Sequence, residues 1–163
     1  MNNIIYLSIG SNLGDKKKIL ADAINALRDA GIKITKISSL YETEPVGKKD
    51  QPMFYNACVL AETILEPLDL LKKIKEIEKK LGRKDTNKWG PRIIDIDILF
   101  YNNIILSINE LKIPHPEILN RKFVLVPLDE IAKNYIHPVV NQKIRDILEK
   151  SSFNQKVTRT GAL

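Results

Sequence analysis

Apolar positions along the first hundred residues switch between a spacing of two and a spacing of three to four, which predicts strands interleaved with helices. Residues 4–9 (IIYLSI) predict a short strand that ends at the turn-forming GSNLG. From Asp15 onward the apolar residues fall on one helical face, and Gly31 marks the end of that helix. Residues 32–42 return to a strand pattern, and residues 43–52 have the composition of a loop.

The order strand, helix, strand is then repeated. Residues 53–64 predict another strand, and Pro67 stands where the first turn of a helix tolerates proline. The helix that follows carries an apolar stripe and ends at Gly82. A basic loop at 83–92 leads into a last strand at 93–100 (IIDIDILF). The order β-α-β-β-α-β predicts a ferredoxin-like α+β fold, in which an antiparallel sheet carries helices packed on one face.

The remainder of the chain is less regular, with a PHP turn at 114–116 and a closing helix at 141–150. No repeat, low-complexity tract or linker divides the sequence. We therefore predict a single domain at 1–163, with a core at about 3–101 and a short irregular C-terminal extension at about 102–163.

Composition narrows the class of protein. The 163 residues are 44% apolar and 28% charged, which is ordinary for a globular protein and wrong for a disordered one. Apolar runs are far shorter than the roughly 20 residues needed to cross a bilayer, and no signal peptide is visible. The lone Cys58 excludes an intramolecular disulfide and a multi-cysteine metal site. These features predict a cytoplasmic protein without a membrane partner.

A net charge of +6 favours an anionic partner, either a nucleic acid or a polyphosphate metabolite, although an excess of lysine also serves solubility.

The strand IIDIDILF is a more specific indication of function than the net charge, because residues two apart on a strand project from the same face. Asp95 and Asp97 therefore share one face, and their like charges perturb each other's pKa. A divalent cation would relieve that repulsion, and Mg²⁺ commonly takes one or two carboxylates plus substrate phosphates. The alternative is a polar stripe facing solvent. The opposite face should hold the apolar residues of the strand: Ile94, Ile96, Ile98 and Phe100.

The loop before this strand adds four cationic groups within ten residues: Arg83, Lys84, Lys88 and Arg92. Cations beside a carboxylate pair suit phosphoryl transfer, where catalysis is mostly positioning and charge neutralisation. Trp89 within this loop either contacts a ligand or anchors the loop on the core.

A second group of side chains suits a flat heterocycle. Phe54 and Asn56 lie two apart on one strand, and Phe123 follows a cationic stretch. An aromatic ring with an amide can stack on a flat ring and read its edge, although phenylalanine on a strand usually packs in the core. His115, held between two prolines, is a candidate phosphate or nucleotide contact. Glu78 borders the helical stripe and either contacts a ligand or pairs with a lysine.

Five motifs together resemble one known family. They are GSNLGD at 10–15, the stretch YETEPVG…QP…N at 41–56, GR at 82–83, WGPR-x₂-D-x-D at 89–97 and PHP-x₄-R-x-F at 114–123. Combined, these motifs resemble the 6-hydroxymethyl-7,8-dihydropterin pyrophosphokinase family of folate biosynthesis. The resemblance implies a ferredoxin-like fold and transfer of the terminal pyrophosphoryl group of ATP to the hydroxymethyl oxygen of the pterin, with AMP as the second product.

The resemblance also implies roles for individual residues. Two Mg²⁺ ions would be held by Asp95 and Asp97, and the pterin would lie between Phe54 and Phe123. Asn56 and backbone groups of the 43–46 segment would read its edge; the segment's candidate residues are Thr43, Pro45 and Val46.

On the phosphate side, the resemblance implies that Arg83 and Arg92 contact the phosphates and act in catalysis. The residues at positions near the nucleotide are Glu78, Lys88, Trp89, Ile98, Lys112, His115 and Arg121. Two features depart from the family pattern: Phe54 stands where tyrosine is frequent, and lysines occupy positions 84 and 88, where arginine is frequent. Lysine cannot make the planar two-point contact of arginine.

The competing hypothesis is a ferredoxin-like module that binds nucleic acid. Such sheets bind RNA through clustered aromatic residues, and no aromatic-rich motif of this kind is present. Asp95 and Asp97 would also repel a phosphate backbone where no metal is bound. We therefore expect small-molecule substrates, no nucleic acid and a monomeric protein.

Overall fold

Strands and helices of the first hundred residues follow the predicted order. The computed structural model describes residues 2–45, 50–83 and 92–163. The elements in chain order are β1 (Asn3–Ser11), α1 (Lys16–Asp29), β2 (Lys33–Ile37), β3 (Leu40–Thr43), β4 (Phe54–Thr63), α2 (Pro67–Lys80) and β5 (Asp95–Tyr101). The single strand predicted at 32–42 is two strands. The backbone of Ser38 interrupts it by bonding to the carbonyl of Cys58, while the Ser38 hydroxyl accepts from the Cys58 N–H.

The strands form one antiparallel sheet in the order β5-β1-β4-β3, and β2 pairs with the other end of β4. Strand β1 thus lies between β5 and β4, as the split β-α-β arrangement requires. The predicted fold class, α+β with a ferredoxin-like antiparallel sheet, is confirmed by this topology.

The two predicted helices begin and end where the sequence signals them. Asp15 caps α1, since its side chain accepts from the backbone N–H of Lys18. Pro67 opens α2, and glycines in the left-handed region end both helices: Gly31 at a φ of 84° and Gly82 at a φ of 103°. None of the helices in the described ranges is long and apolar enough to span a bilayer.

Alternation along β1 divides the core into two layers. Ile5, Leu7 and Ile9 are buried against α1 and α2 on one face of the sheet, whereas Tyr6 is buried on the opposite face. Full burial of each such side chain stabilises the fold by about 1.5–3 kcal/mol. Both faces of the sheet are therefore apolar enough to require a cover.

The second face is covered by the C-terminal third of the chain, which is not the irregular extension that the sequence predicts. It contains β6 (Leu106–Ser107), β7 (Lys112–Ile113), a short 3₁₀ helix (Ile118–Asn120), α3 (Lys122–Ala132), α4 (Ile144–Lys150) and β8 (Val157–Gly161). Helices α3 and α4 pack on Tyr6, Cys58 and Phe100. The prediction of helices on one face is thus correct for α1 and α2 and wrong for the whole chain. The second layer was missed because short, irregularly spaced apolar runs carry little periodicity.

One further correction concerns Phe100, which does not share the face of Ile94, Ile96 and Ile98. Tyr6 pairs with Phe100 whereas Leu7 pairs with Ile98, so a bulge inserts one extra residue into β5. The bulge shifts the alternation by one, and Phe100 consequently packs under α3.

Candidate active site

Gly10 lies between the two groups of residues that the sequence singles out. It pairs with Asn56 of β4 on one side and with Asp95 of β5 on the other. Neighbouring strands lie about 4.8 Å apart, so the backbones of Asn56 and Asp95 are about 10 Å apart. All three residues point to the face of the sheet that α3 covers, because Gly10 has the alternation of Tyr6 and Asn56 has that of Cys58.

Side chains from several elements converge on the two carboxylates. Asp95 Oδ1 is 3.1 Å from Arg83 Nη1, at the end of α2. Asp97 Oδ2 is 3.9 Å from Arg121 Nη1 and 4.0 Å from His115 Nε2, which lie just before α3 and just after β7. Burial raises the pKa of Asp97 above its ordinary value, and the neighbouring charge of Asp95 raises it further. The ionised pair is therefore disfavoured without a cation.

Glu78 is the buried support of this cluster. Only 6% of the residue is exposed, and its Oε2 accepts from the Ile96 N–H at 2.8 Å and from Arg83 Nη1. Burial raises the pKa of Glu78, and the hydrogen bond from Ile96 and the charge of Arg83 counter that rise. The sequence left open a ligand contact or a lysine pair. The structure instead pairs Glu78 with Arg83 and aims the guanidinium at Asp95.

His115 is held as a neutral donor beside Asp97. Its backbone N–H donates to the Leu99 carbonyl at 3.0 Å, and its Nδ1 accepts from the Glu117 N–H at 3.1 Å. Burial lowers the pKa of His115 to about 4, and the charge of Arg121 lowers it further. At neutral pH the ring therefore carries its one proton on Nε2, the nitrogen that faces Asp97.

The candidate heterocycle side lies across Gly10 from the carboxylates. Asn56 is buried, and its Nδ2 donates to Thr43 Oγ1 at 2.7 Å. Thr43 pairs with Phe54 across β3 and β4. Phe123 is in the first turn of α3, and the guanidinium of Arg121 lies 5.6 Å from its ring centroid. The predicted aromatic and amide groups therefore share the sheet face of Asp95 and Asp97.

Other predicted residues lie less directly at the site. Pro45 is buried just after β3, and Lys112 is exposed on β7 without direct contact to either aspartate. The side chain of Ile98 packs in the core beneath α1 and α2, so it cannot reach the carboxylate face; any nucleotide contact there would use its backbone. Three predicted ligand contacts lie outside the described residues: Val46, Lys88 and Trp89. Lys84 of the predicted cationic loop also lies outside them.

The carboxylate pair suits a hard cation. Among the described residues no group of three or more His, Cys, Asp or Glu side chains could hold a metal by itself. Two adjacent carboxylates, one with a raised pKa, match the way Mg²⁺ is held by one or two carboxylates while water and phosphate oxygens complete its shell.

Sequence reasoning missed two residues of the GSNLGD motif. A Cβ on Gly10 would lie 2.5 Å from Asn56 Oδ1, so only glycine leaves room for the amide. Asn12 is buried and bonded to both Gln51 and Arg92. The motif predicts a turn, and its letters carry no local signal for these contacts, which form only after the strands pair.

Similar proteins fall into long and short classes. The folic acid synthesis protein fol1 of Pneumocystis carinii is 46% identical over 149 residues, and FOL1 of Dictyostelium discoideum is 46% identical over 140 residues. The matches cover 91% and 86% of this chain, which spans about a fifth of the length of either relative. The 2-amino-4-hydroxy-6-hydroxymethyldihydropteridine pyrophosphokinase of Bacillus subtilis is 45% identical, with 82% of this chain and 80% of that protein covered.

A solved structure supports the fold. The crystal structure of Plasmodium falciparum HPPK-DHPS matches with a TM-score of 0.76 at 22% identity, and the match covers 92% of this chain and 42% of that one.

The family comparison decides between the two hypotheses that the sequence raised. The pattern described as 7,8-dihydro-6-hydroxymethylpterin-pyrophosphokinase matches residues 6–133. Nothing in the comparisons favours a nucleic-acid-binding module, and the relatives named as pyrophosphokinases are transferases. With its carboxylate pair and its amide on one sheet face, the chain belongs to the 7,8-dihydro-6-hydroxymethylpterin-pyrophosphokinase (HPPK) family.

Proposed function

We propose that this chain transfers the terminal pyrophosphoryl group of ATP to the hydroxymethyl oxygen of 6-hydroxymethyl-7,8-dihydropterin, a step of folate biosynthesis. The observation that carries the proposal is the row across the sheet, in which Gly10 separates Asn56 from Asp95. A heterocycle at the amide would extend its hydroxymethyl arm over the glycine towards phosphates at the carboxylates. The distance of about 10 Å between the backbones of Asn56 and Asp95 matches the length of a pterin ring plus its hydroxymethyl arm.

The pterin side would use stacking and edge recognition. Phe54 and Phe123 present aromatic faces for the flat ring. Asn56 donates one Nδ2 hydrogen to Thr43, so its second N–H and its Oδ1 can read the edge of the pterin. Backbone groups of Thr43, Pro45 and Val46 complete the proposed contacts.

The phosphate side would use charge. Asp95 and Asp97 would hold two Mg²⁺ ions, which when bound neutralise and orient the phosphate oxygens. Glu78 orients Arg83 towards the same place. His115 and Arg121 bring an N–H and a positive charge beside Asp97. The further proposed nucleotide contacts are Lys88, Trp89, Arg92, Lys112 and the backbone of Ile98.

The proposed reaction forms one bond and breaks one. The hydroxymethyl oxygen attacks the β-phosphorus of ATP, and the bond from that phosphorus to the bridging oxygen of the α-phosphate breaks. AMP leaves with the electron pair, and the hydroxyl proton passes to solvent water as the new bond forms. Asp95 or Asp97 would orient the attacking hydroxyl. A loose phosphoryl transition state needs little help from a strong base, so positioning and charge carry the catalysis.

We also propose that residues 1–163 act as one domain and as a monomer. The supporting observation is that β8 extends the sheet that carries the site, and α3 and α4 cover one face of that sheet. Light scattering of the purified protein with and without substrates would measure its mass.

The test is the identity of the nucleotide product. Incubation with ATP, Mg²⁺ and the hydroxymethyl dihydropterin is expected to release AMP and pterin diphosphate in equal amounts. A reaction without the pterin is the control for ATP hydrolysis. Stoichiometric ADP would show an ordinary kinase and would overturn the proposal.

A further inference from the structure

The last part of the chain lies beyond the family pattern, which ends at residue 133. Two anchors hold residues 153–157 on the sheet. Phe153 packs on the core layer that α3 and α4 form, and Val157 begins β8 by pairing with Thr43 of β3. Gln155 lies midway between these anchors in sequence, so both of them fix the position of its backbone.

Gln155 makes one hydrogen bond on each side of this segment. Its Nε2 donates to the Glu44 carbonyl at 2.8 Å, directly after the end of β3. Its backbone carbonyl accepts from Lys122 Nζ at 3.1 Å, at the first residue of α3. One residue thus connects the end of a strand to the start of a helix.

Both attachment points are next to residues that are proposed to bind the pterin. Glu44 follows Thr43, which pairs with Phe54, the first proposed stacking ring. Lys122 precedes Phe123, the second proposed ring. One wall of the proposed pterin site is therefore the shared end of β3 and β4, and the other wall is the first turn of α3.

From these contacts we infer that Gln155 is a positioning residue that holds the two walls of the pterin site at a fixed separation. Its side-chain amide holds the wall formed by β3 and β4, and its backbone carbonyl holds the wall formed by α3. The inference rests on the proposed function, which names the ligand. Gln155 acts through Glu44 and Lys122 and is not proposed to contact the pterin.

Stacking explains why this separation needs its own polar contacts. The attraction between a flat ring and its neighbours weakens steeply with distance, and a gap of about 0.5–1 Å forfeits about a quarter to a half of it. Apolar packing of Val124 and Leu125 holds α3 on the sheet, but such packing is not directional. Glu130 bonds to the sheet from near the other end of α3. The contacts of Gln155 therefore fix the first turn of the helix.

The experiment separates pterin binding from nucleotide binding in Gln155→Ala. We expect the KM for 6-hydroxymethyl-7,8-dihydropterin to rise by about threefold to tenfold, the effect of losing one hydrogen bond. The KM for ATP and kcat should keep their wild-type values, because the side chain of Gln155 is bonded on the pterin side. Calorimetric titration of the pterin into protein saturated with the Mg²⁺ complex of α,β-methylene-ATP should give the same ratio of affinities without turnover.

Gln142→Ala is the matched control, since it makes the same change at an exposed residue before α4. This variant is expected to keep both KM values. A Gln155→Ala protein with wild-type pterin affinity would overturn the inference. An equal rise of the KM for ATP and of the KM for the pterin would also overturn it, because a general loss of structure would then explain the result.

A second pair of variants tests whether the two bonds of Gln155 act together. Lys122→Met removes the bond on the α3 side and should raise the KM for the pterin as Gln155→Ala does. Lys122→Arg keeps a cationic donor and should keep the wild-type KM. Once one bond is broken, Gln155 no longer connects the two walls, so the double variant with Lys122→Met should be about as impaired as either single variant. Effects that add would indicate two independent contacts and would refute the inference.

Gln155 and Lys122 are half-buried, so their variants are expected to fold. If Gln155→Ala does not fold, Lys122→Met alone measures the loss of pterin affinity from the other wall. A wild-type protein that binds the nucleotide analogue but no pterin would refute the proposed function instead.

Discussion

Burial and the charge of Asp95 hold the pKa of Asp97 above its ordinary value of 3.8. A group whose pKa is raised in the folded state contributes stability that is fully present below the unfolded pKa and is lost as pH rises through the folded pKa. At neutral pH, the ionised Asp97 therefore destabilises the fold. The residue is retained at a cost in stability, which is expected where charge serves a bound ligand.

Substitution of this pair separates function from stability. Asp97→Asn and Asp95→Asn keep the shape of the side chain and remove its charge, so the melting temperature of the ligand-free protein should stay the same or rise. Turnover should fall by at least about a hundredfold, the effect of losing one preorganised electrostatic contact. Melting curves and steady-state rates at pH 7.5 check both expectations. A lower melting temperature with unchanged turnover would make the pair a structural polar stripe.

Gly10→Ala tests the row across the sheet. The new methyl group would lie 2.5 Å from Asn56 Oδ1, so the amide must move. We expect the KM for the pterin to rise by about tenfold or more, with a smaller change in the KM for ATP, because the role proposed for Asn56 is to read the pterin edge.

The double variant with Asn56→Ala is the control for this clash. Once the oxygen is gone, Gly10→Ala should add little to the effect of Asn56→Ala, since substitutions of residues in contact are not additive. Additive effects in the double variant would mean that the alanine acts elsewhere than on Asn56.

At the scale of elements, the carboxylate of Glu130 adds hydrogen bonds to the apolar packing that holds α3 on the sheet. Glu130 accepts from the Ser39 N–H at 3.0 Å, from the Ser39 hydroxyl at 3.0 Å and from the Tyr41 hydroxyl at 2.6 Å. Burial alone would raise the pKa of Glu130, but the hydrogen bonds from Tyr41 and Ser39 outweigh it and lower the pKa. These bonds hold α3, which begins at Lys122 and carries Phe123, against β3. Strand β3 ends at the candidate pterin side.

Glu130→Gln should therefore destabilise the protein in a pH-dependent way. A carboxyl group with a lowered pKa contributes stability above its unfolded value of 4.5 and loses that contribution as pH falls through the folded value. We expect a loss of about 1 kcal/mol at pH 7, since the carboxylate is exposed enough for solvent to screen it.

The measurement is urea unfolding of both proteins between pH 7 and pH 3, where the difference should shrink as pH falls. Glu149→Gln, at an exposed position on α4, is the control and should unfold like the wild type throughout. A difference between wild type and Glu130→Gln that does not depend on pH would show that the charge of Glu130 contributes nothing.

The C-terminal segment joins the same two elements. Thr43 of β3 pairs with Val157 of β8, and Gln155 Nε2 donates to the Glu44 carbonyl at 2.8 Å. Lys122 Nζ in turn donates to the Gln155 carbonyl at 3.1 Å. The last residues of the chain thus lie between the end of β3 and the start of α3.

Across the whole molecule, the sheet has one face that only packs and one face that carries the candidate site. The side under α1 and α2 is filled by aliphatic side chains, whereas the other side is covered by α3 and α4 at one end and carries the polar groups at the other. Arginines lie beside Asp95 and Asp97 on this face, and a bound cation would be needed as well before the carboxylates could accept an anionic ligand.

The local structure and the chemistry of the strand that carries the aspartates follow from the sequence alone. Periodicity, Asp15, Pro67 and the terminal glycines predict α1, α2 and their ends, because these signals act within a few residues. The alternation in β5 predicts that Asp95 and Asp97 share a face. The motifs predict the family, which the comparisons confirm.

Which partners those residues contact depends on how the chain folds as a whole. Glu78 accepts from the Ile96 N–H, Phe100 changes faces at a bulge, and Asn12 links two distant segments, because each outcome depends on partners that the folding of the sheet brings together. The second helical layer likewise forms because the sheet has a second apolar face to cover, a property of the assembled sheet and not of the short segments that cover it. Local signals predict elements, whereas Arg83 meets Asp95 from 12 residues away, Ile96 meets Glu78 from 18 and Arg92 meets Asn12 from 80, separations that periodicity does not relate.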